Sequence, residues 1–129
     1  RSRTRAKLAP ANKMRTILAF ALLHALPVLA ADTPLDAARK LYGTAQCDQA
    51  LQALKGDSIA ASLQLQGQCW FLLGDFKKAS DAFDKALEQN GSNSDLNAWA
   101  GRAYGRRAET GNPLVAPRHA SRARQFFEK

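Results

Sequence analysis

Between residues 67 and 86, small and aromatic side chains alternate as Gly67, Trp70, Gly74, Phe76, Ala79, Phe83 and Ala86. These spacings suit two short helices folded against each other. Small residues let the backbones approach, and the aromatics fill the space between layers. Part of the set returns further along: Gly101 follows Gly67 at the same interval as Tyr104 follows Trp70. That interval is a period of about 34 residues, which marks an array of helical hairpins. A single hairpin cannot bury its own apolar face, so neighbours stack and share a core. The feature restricts the chain to an all-α architecture, of a kind that builds extended surfaces for holding partners.

At these residues the chain resembles the tetratricopeptide repeat family. The family pattern is a large aromatic, Leu-Gly, an aromatic, Gly-x-aromatic, then Ala, aromatic and Ala, often closed by Pro. Gly67, Trp70, Gly74, Phe76, Ala79, Phe83 and Ala86 match it by type and spacing. Leu63 stands where Trp is usual, Gln66 where Leu is usual, and Gly91 where the closing Pro is usual. The match is strong over 60–91, partial over 94–129 and weak over 31–57.

The resemblance implies a right-handed solenoid of antiparallel helix-turn-helix hairpins. It also implies a protein or peptide partner held on the concave wall, which the first helix of each hairpin forms. On that spacing the wall presents Gln64, Gln68, Phe71, Asp95, Arg102 and Arg106. Gln64 and Gln68 suit an extended peptide backbone, and Arg102 and Arg106, four apart on one helical face, suit a carboxylate. The competing reading is a solvated polar face. The Lys and Asn of the family's clamp for a C-terminal carboxylate are absent, so that specificity is not carried over.

Residues 32–129 divide into three hairpins. In the first, 32–57, Thr33-Pro34-Leu35-Asp36 carries a capping residue, a proline suited to the first turn and an acid for the positive helix end. This helix is expected to end near Gly43, and a second to run from Gln46 to Leu54. Ala50 precedes Ala79 by less than one full period, so this is a divergent first repeat. In the best-matching hairpin, 58–91, Ser58 or Asp57 opens a helix that ends at Gly74, and Asp75 opens its partner, which ends at Asn90-Gly91. In the third, 94–129, Leu96, Trp99, Ala100, Ala103 and Tyr104 follow at helical spacing. If Phe127 is the counterpart of Phe83, this hairpin carries an insertion, because Gly101 and Phe127 stand ten positions further apart than Gly67 and Phe83. With Gly111, Pro113 and Pro117, the stretch from Arg106 to Arg118 reads as a loop, and Ala120–Lys129 as the second helix with Ala123, Phe126 and Phe127 facing inwards.

The formal net charge of +8 is concentrated upstream of these hairpins. Arg1, Arg3, Arg5, Lys7, Lys13 and Arg15 precede residue 30 without one acid, whereas 31–129 holds 13 basic and 11 acidic groups. Met14 and Arg15 precede an apolar run from Ile17 to Ala31. The run is shorter than the about 20 residues a spanning helix needs. A positive start, a short apolar core and a small-residue end make 14–31 a secretory signal cleaved near Ala30 or Ala31. Residues 1–13 then read as an upstream over-call or a disordered basic segment. An uncleaved membrane anchor is the competing reading, and membrane contact is expected only through this segment. The first residue is Arg and the last lies inside a helical pattern, so a fragment of a longer repeat protein is expected.

Composition argues against chemistry. His119 is the sole histidine after the signal, which leaves no metal-ligand cluster. Gly101, Gly105 and Gly111 are separated by helix formers, so no phosphate-binding loop forms. A dyad of His119 with a cysteine is the one nucleophile arrangement left open. No cofactor is expected. Arg102, Arg106, Arg107, Arg118, Arg122 and Arg124 read either as a solvated basic face or as a dock for an acidic partner, membrane surface or cell-wall polymer. Aromatic residues are not expected to interleave with these arginines on one surface, which disfavours nucleic acid. Cys47 and Cys69 are the only cysteines. In an exported chain they form a disulfide stapling the first repeat to the second, or they remain two buried thiols.

The expected function is a non-catalytic, periplasmic or secreted scaffold for a protein partner. The alternative is the docking or regulatory region of a larger exported enzyme.

Overall fold

Local sequence explains where each helix begins and ends in the computed structural model, which describes residues 30–129. Those residues form six helices and no strand. The expected upstream segment 1–13 and signal 14–31 lie outside the described residues, except that Ala30 and Ala31 are exposed. Asp32–Lys129 forms a compact unit.

Helix α1 (Pro34–Gly43) opens with a capping box. Thr33 accepts from the Asp36 amide at 3.2 Å, and the Asp36 carboxylate accepts from the Thr33 amide at 3.3 Å. At its other end the helix stops at Gly43, as expected. The left-handed position falls two residues later, on Ala45 with φ 58°. The Ala45 amide donates to Tyr42 and the Gln46 amide to Leu41, so the exposed carbonyls of the last turn are satisfied with alanine where glycine is usual.

Helix α2 (Cys47–Ala53) is short and ends against Gly56, whose φ is +80°. Helix α3 (Ala60–Leu72) starts two residues later than Ser58. Its N-cap, Ile59, has no side-chain cap, so neither Ser58 nor Asp57 is the expected cap. Asp57 instead accepts from the Ile59 amide at 3.0 Å and from Ser62 Oγ at 2.6 Å, bracing the turn before the helix. The helix closes as expected at Gly74, φ +81°. Its amide donates to Phe71 and that of Asp75 to Trp70. Asp75 then caps helix α4 (Phe76–Gln89), accepting from the Lys78 amide at 3.0 Å. Asn93 caps helix α5 (Ser94–Thr110) in the same way through the Leu96 amide.

Consecutive helices of the second hairpin run antiparallel. Gln89, at the end of α4, bonds the Ala60 amide at 2.9 Å and the Ser58 carbonyl at 2.6 Å, at the start of α3. At the opposite end, Phe71 meets Phe76 edge-on at 5.2 Å. Between them Phe83 is fully buried, with its ring on Gly67.

The Arg106–Arg118 loop is overturned. Helix α5 continues to Thr110, and helix α6 (Ala116–Phe127) begins at Ala116 rather than Ala120. Pro117 lies in the first turn of α6, where its missing amide costs no helical bond. Within that stretch only 111–115 is non-helical. Relative to the hairpin before it, four of the ten extra residues lengthen α5 beyond Gly101, four lengthen α6 ahead of Phe127, and two widen the turn. Four residues exceed one helical turn by only about 40°, so both helices grow while keeping the same faces together. Phe127 therefore still lies on Gly101, as Phe83 lies on Gly67. Ala123 and Phe126 face inwards as expected, but Phe127 keeps 60% of its surface exposed.

Helix α3 is buried on two sides. Leu63 joins Ala79, Phe83, Ala86, Leu96, Ala100 and Phe126 in one core cluster. Leu65 and Cys69 join Ala38, Cys47, Ala50 and Leu54 in another. Gln66, where the repeat pattern has Leu, donates to the Leu54 carbonyl at 3.3 Å and the Asp57 carbonyl at 2.9 Å. It thus satisfies the end of α2 with a side chain that leucine could not supply.

Candidate functional site

Helices α1, α3 and α5, the first of each hairpin, lie side by side, α3 touching both neighbours. Across the first seam, Arg39 and Tyr42 of α1 and Gln64 and Gln68 of α3 line a cavity of about 260 Å³. Across the second, the Gln64 amide nitrogen donates to Asp95 of α5 at 2.7 Å. This bond commits one side of the Gln64 amide and holds the two helices in register.

Further along the second seam, Phe71 meets Trp99 edge-on at 5.6 Å, in addition to its contact with Phe76. Trp99 in turn stacks on buried Phe83 at 6.0 Å. Phe71, Phe76 and Trp99 are each half-buried, so their open edges form a small apolar surface rooted in the core. Arg102 lies over the Trp99 ring at 4.9 Å and Arg106 over the Phe76 ring at 5.0 Å. Each guanidinium is drawn to an aromatic face, and Arg107 and Arg122 likewise lie over Tyr104, so the expectation that aromatics do not interleave with these arginines is overturned. Arg106 also donates to Glu109 at 2.5 Å, whereas Arg102 enters no ion pair among the described residues. Arg102 and Arg106 thus sit on separate rings and do not converge as one fork.

Of the six expected wall residues, Gln64 and Gln68 line the first seam and Gln64, Phe71 and Asp95 make contacts across the second, whereas Arg102 lies over Trp99 of its own helix and Arg106 over Phe76 of α4. Sequence reasoning missed Trp99 as their centre, having placed it with the helix-forming apolar residues. The signal was available in the i, i+3 spacing of Trp99 and Arg102, which brings both to one helical face.

The packing residues divide by exposure. Ala79, Ala86, Gly67 and Gly101 are buried, and Gly74 is an exposed turn. Trp70 is half-buried beneath Lys78, whose Nζ lies 4.3 Å from the ring centre. Tyr104, one period after Trp70, is more deeply buried and donates its hydroxyl to Asp84 at 2.5 Å. Burial first, and then the Asp84 carboxylate, raises its pKa above the ordinary tyrosine value.

Both cysteines are buried and unbonded in this structure. They belong to the same core cluster. Burial first, and then Cys47, pushes the Cys69 thiol up to about 12. His119 packs instead against Tyr104, with ring centres 5.9 Å apart, and belongs to the other end of the unit. The His119–cysteine dyad is thereby removed. Among the described residues, no group of three or more His, Cys, Asp or Glu side chains could hold a metal ion, and no helix is long and apolar enough to cross a membrane.

No protein family, curated protein or solved structure matches the chain.

Proposed function

We propose that this protein is a helical-repeat docking module of the tetratricopeptide type, a right-handed solenoid whose first helices bind a protein partner without catalysis. The observation that carries the reading is the Phe71–Trp99–Arg102 cluster. It offers apolar edges rooted in a buried core and, directly above them, a guanidinium with no carboxylate partner among the described residues. Such a surface takes an extended segment with an apolar side chain followed by an acid. Gln68, beside the first seam, is placed to bond the backbone of the same segment.

The proposal includes export. Residues 14–31 have the composition of a cleaved secretory signal, and the compact unit begins at Asp32, next to the expected cleavage point. N-terminal sequencing after expression from Met14 in a Gram-negative host tests this. A periplasmic chain starting near Asp32 agrees, and an unprocessed cytoplasmic chain refutes it.

Selection of a random peptide library on the immobilised 32–129 unit tests the docking surface. The expected result is a consensus pairing an apolar residue with Asp or Glu. Its affinity should fall at least tenfold in Arg102→Glu, while the melting temperature is unchanged. Failure to select any consensus, or binding indifferent to Arg102→Glu, overturns the reading.

A further inference from the structure

We infer that the groove lined by α5 and α6, with Asp84 of α4 at its edge, is a second binding site, one that takes a dianionic phosphate group carried on an organic ligand. The site shares no residue with the Phe71–Trp99–Arg102 cluster. Tyr104 and Arg107 of α5 form its floor, and Arg118, His119, Ser121, Arg122 and Gln125 of α6 line it, around a space of about 720 Å³. On the α4 side, Ser80 accepts from Arg107 Nη1 at 2.9 Å, and Asp84 accepts from the Tyr104 hydroxyl.

The charge of the groove is unbalanced. Arg107, Arg118 and Arg122 face it, and the carboxylate at its edge is Asp84. One Asp84 oxygen is taken by Tyr104; the other is buried without a hydrogen bond and lies 4.0 Å from Arg122 Nη2. Nearby acids are engaged elsewhere: Glu109 with Arg106, Glu128 with Arg124 and Asp81 with Lys77. Arg118 enters no ion pair among the described residues. Three guanidiniums against one carboxylate leave an excess of two positive charges.

The arginines are also positioned by the fold. Arg107 and Arg122 lie 5.3 and 5.8 Å from the centre of the same Tyr104 ring. Arg118 and Arg122, four apart, share one face of α6. His119 sits among them with its pKa lowered by burial and by Arg107 and Arg118, so near neutral pH it is an uncharged imidazole with one N–H to give.

A phosphate monoester carries about −1.5 to −2 charge at pH 7 and three acceptor oxygens. Planar guanidiniums bind those oxygens in pairs. A carboxylate has one charge and two oxygens, and would leave the groove half neutralised. The space exceeds a bare phosphate, which leaves room for the organic part over Ser121 and Gln125.

The test is a titration of the 32–129 unit with phenyl phosphate in phosphate-free buffer, followed through the His119 and Tyr104 ring resonances. Benzoate serves as the monocarboxylate comparison and phosphatidic acid vesicles as the lipid source. Saturable shifts at both rings are expected, with phenyl phosphate at least tenfold tighter than benzoate. Arg118→Gln, an exposed residue whose loss leaves folding intact, should weaken binding at least tenfold, and Arg124→Gln, outside the groove, should not. Absence of saturable shifts, equal binding of benzoate, or equal loss in Arg124→Gln overturns the site. Vesicle binding with which phenyl phosphate does not compete replaces it with a membrane-surface patch and overturns it equally.

Discussion

The ring of Phe83 lies against the backbone of Gly67 so closely that a Cβ added there would stand 2.5–2.8 Å from three of its carbons. Phe127 makes the same approach to Gly101, at 2.7–3.0 Å. The pairs differ in what surrounds the ring. Phe83 is fully buried beneath Trp99, whereas Phe127 is 60% exposed. Gly67→Ala should therefore destabilise the unit by about 1–2 kcal/mol, the cost of overpacking less the helix propensity that alanine gains. Gly101→Ala should be neutral or stabilising by up to about 1 kcal/mol, because the Phe127 ring can swing outwards. Urea denaturation of the two variants decides this, and equal losses would show that the third hairpin is as rigid as the second.

The same difference governs the rings. Phe83→Ala should cost about 3–5 kcal/mol, since it opens a cavity where two helices and Trp99 meet. Phe127→Ala should cost less than about 1 kcal/mol. Thermal and urea melts measure both, and a large loss from Phe127→Ala would contradict the exposure described here.

Ala45 adopts φ 58° to close α1. A left-handed alanine costs about 1–2 kcal/mol, part of which glycine would give back through its freer unfolded chain. Ala45→Gly should raise stability by about 0.5–1 kcal/mol without altering the circular dichroism spectrum, whereas the same substitution at Ala120, exposed and inside α6, should lower it.

Asp36, Asp57 and Asp75 all have lowered pKa values. The principal cause is the Thr33 side chain for Asp36, the Ser62 hydroxyl for Asp57 and the Lys78 amide for Asp75. A carboxyl with a depressed folded pKa stabilises above its unfolded value, about 3.9. That contribution disappears as pH falls through the lower folded value. Melting temperature should therefore hold on the neutral side of this window and drop below about pH 4. Asp75→Asn keeps a capping oxygen but no titrating group, and should make the acid limb shallower. An unchanged acid limb in that variant would remove Asp75 from the account.

Cys47 and Cys69 share one core cluster. With a thiol pKa pushed up to about 12, Cys69 should resist alkylation in the folded chain at pH 8. Oxidation during refolding should join the pair, lower the mass by two hydrogens and stabilise the unit by about 3 kcal/mol. Cys47→Ser should abolish that gain. Mass spectrometry with urea melts, in the presence and absence of reductant, reads both effects.

Much of the fold was legible in the chain because its signals are local. Thr33, Gly74 and Asp75 act through backbone groups within a few residues of themselves, so the helix ends they set could be placed from sequence, and the alternation of Gly67, Phe76, Ala79 and Phe83 set out the best-matching hairpin. Gly111 and Pro113 do mark the turn, but Pro117 misled because a proline breaks a helix interior yet suits a first turn, and only the position of the helix start distinguishes the two. Gln66 and Ala45 broke local rules for reasons that lie in the neighbouring turn.

By itself the sequence determined the helical class, several of the helix ends and the presence of small residues one period apart. Tertiary structure decided what those residues face. It placed four added residues on each side of the last turn, so that Phe127 returned to Gly101. It also brought Phe71, Trp99 and Arg102 from two helices onto one surface, and Arg107, Arg118 and Arg122 into one groove. The physical reason is range: caps and turns are settled by hydrogen bonds between near neighbours, whereas a surface or a field is the sum of side chains that only packing brings together.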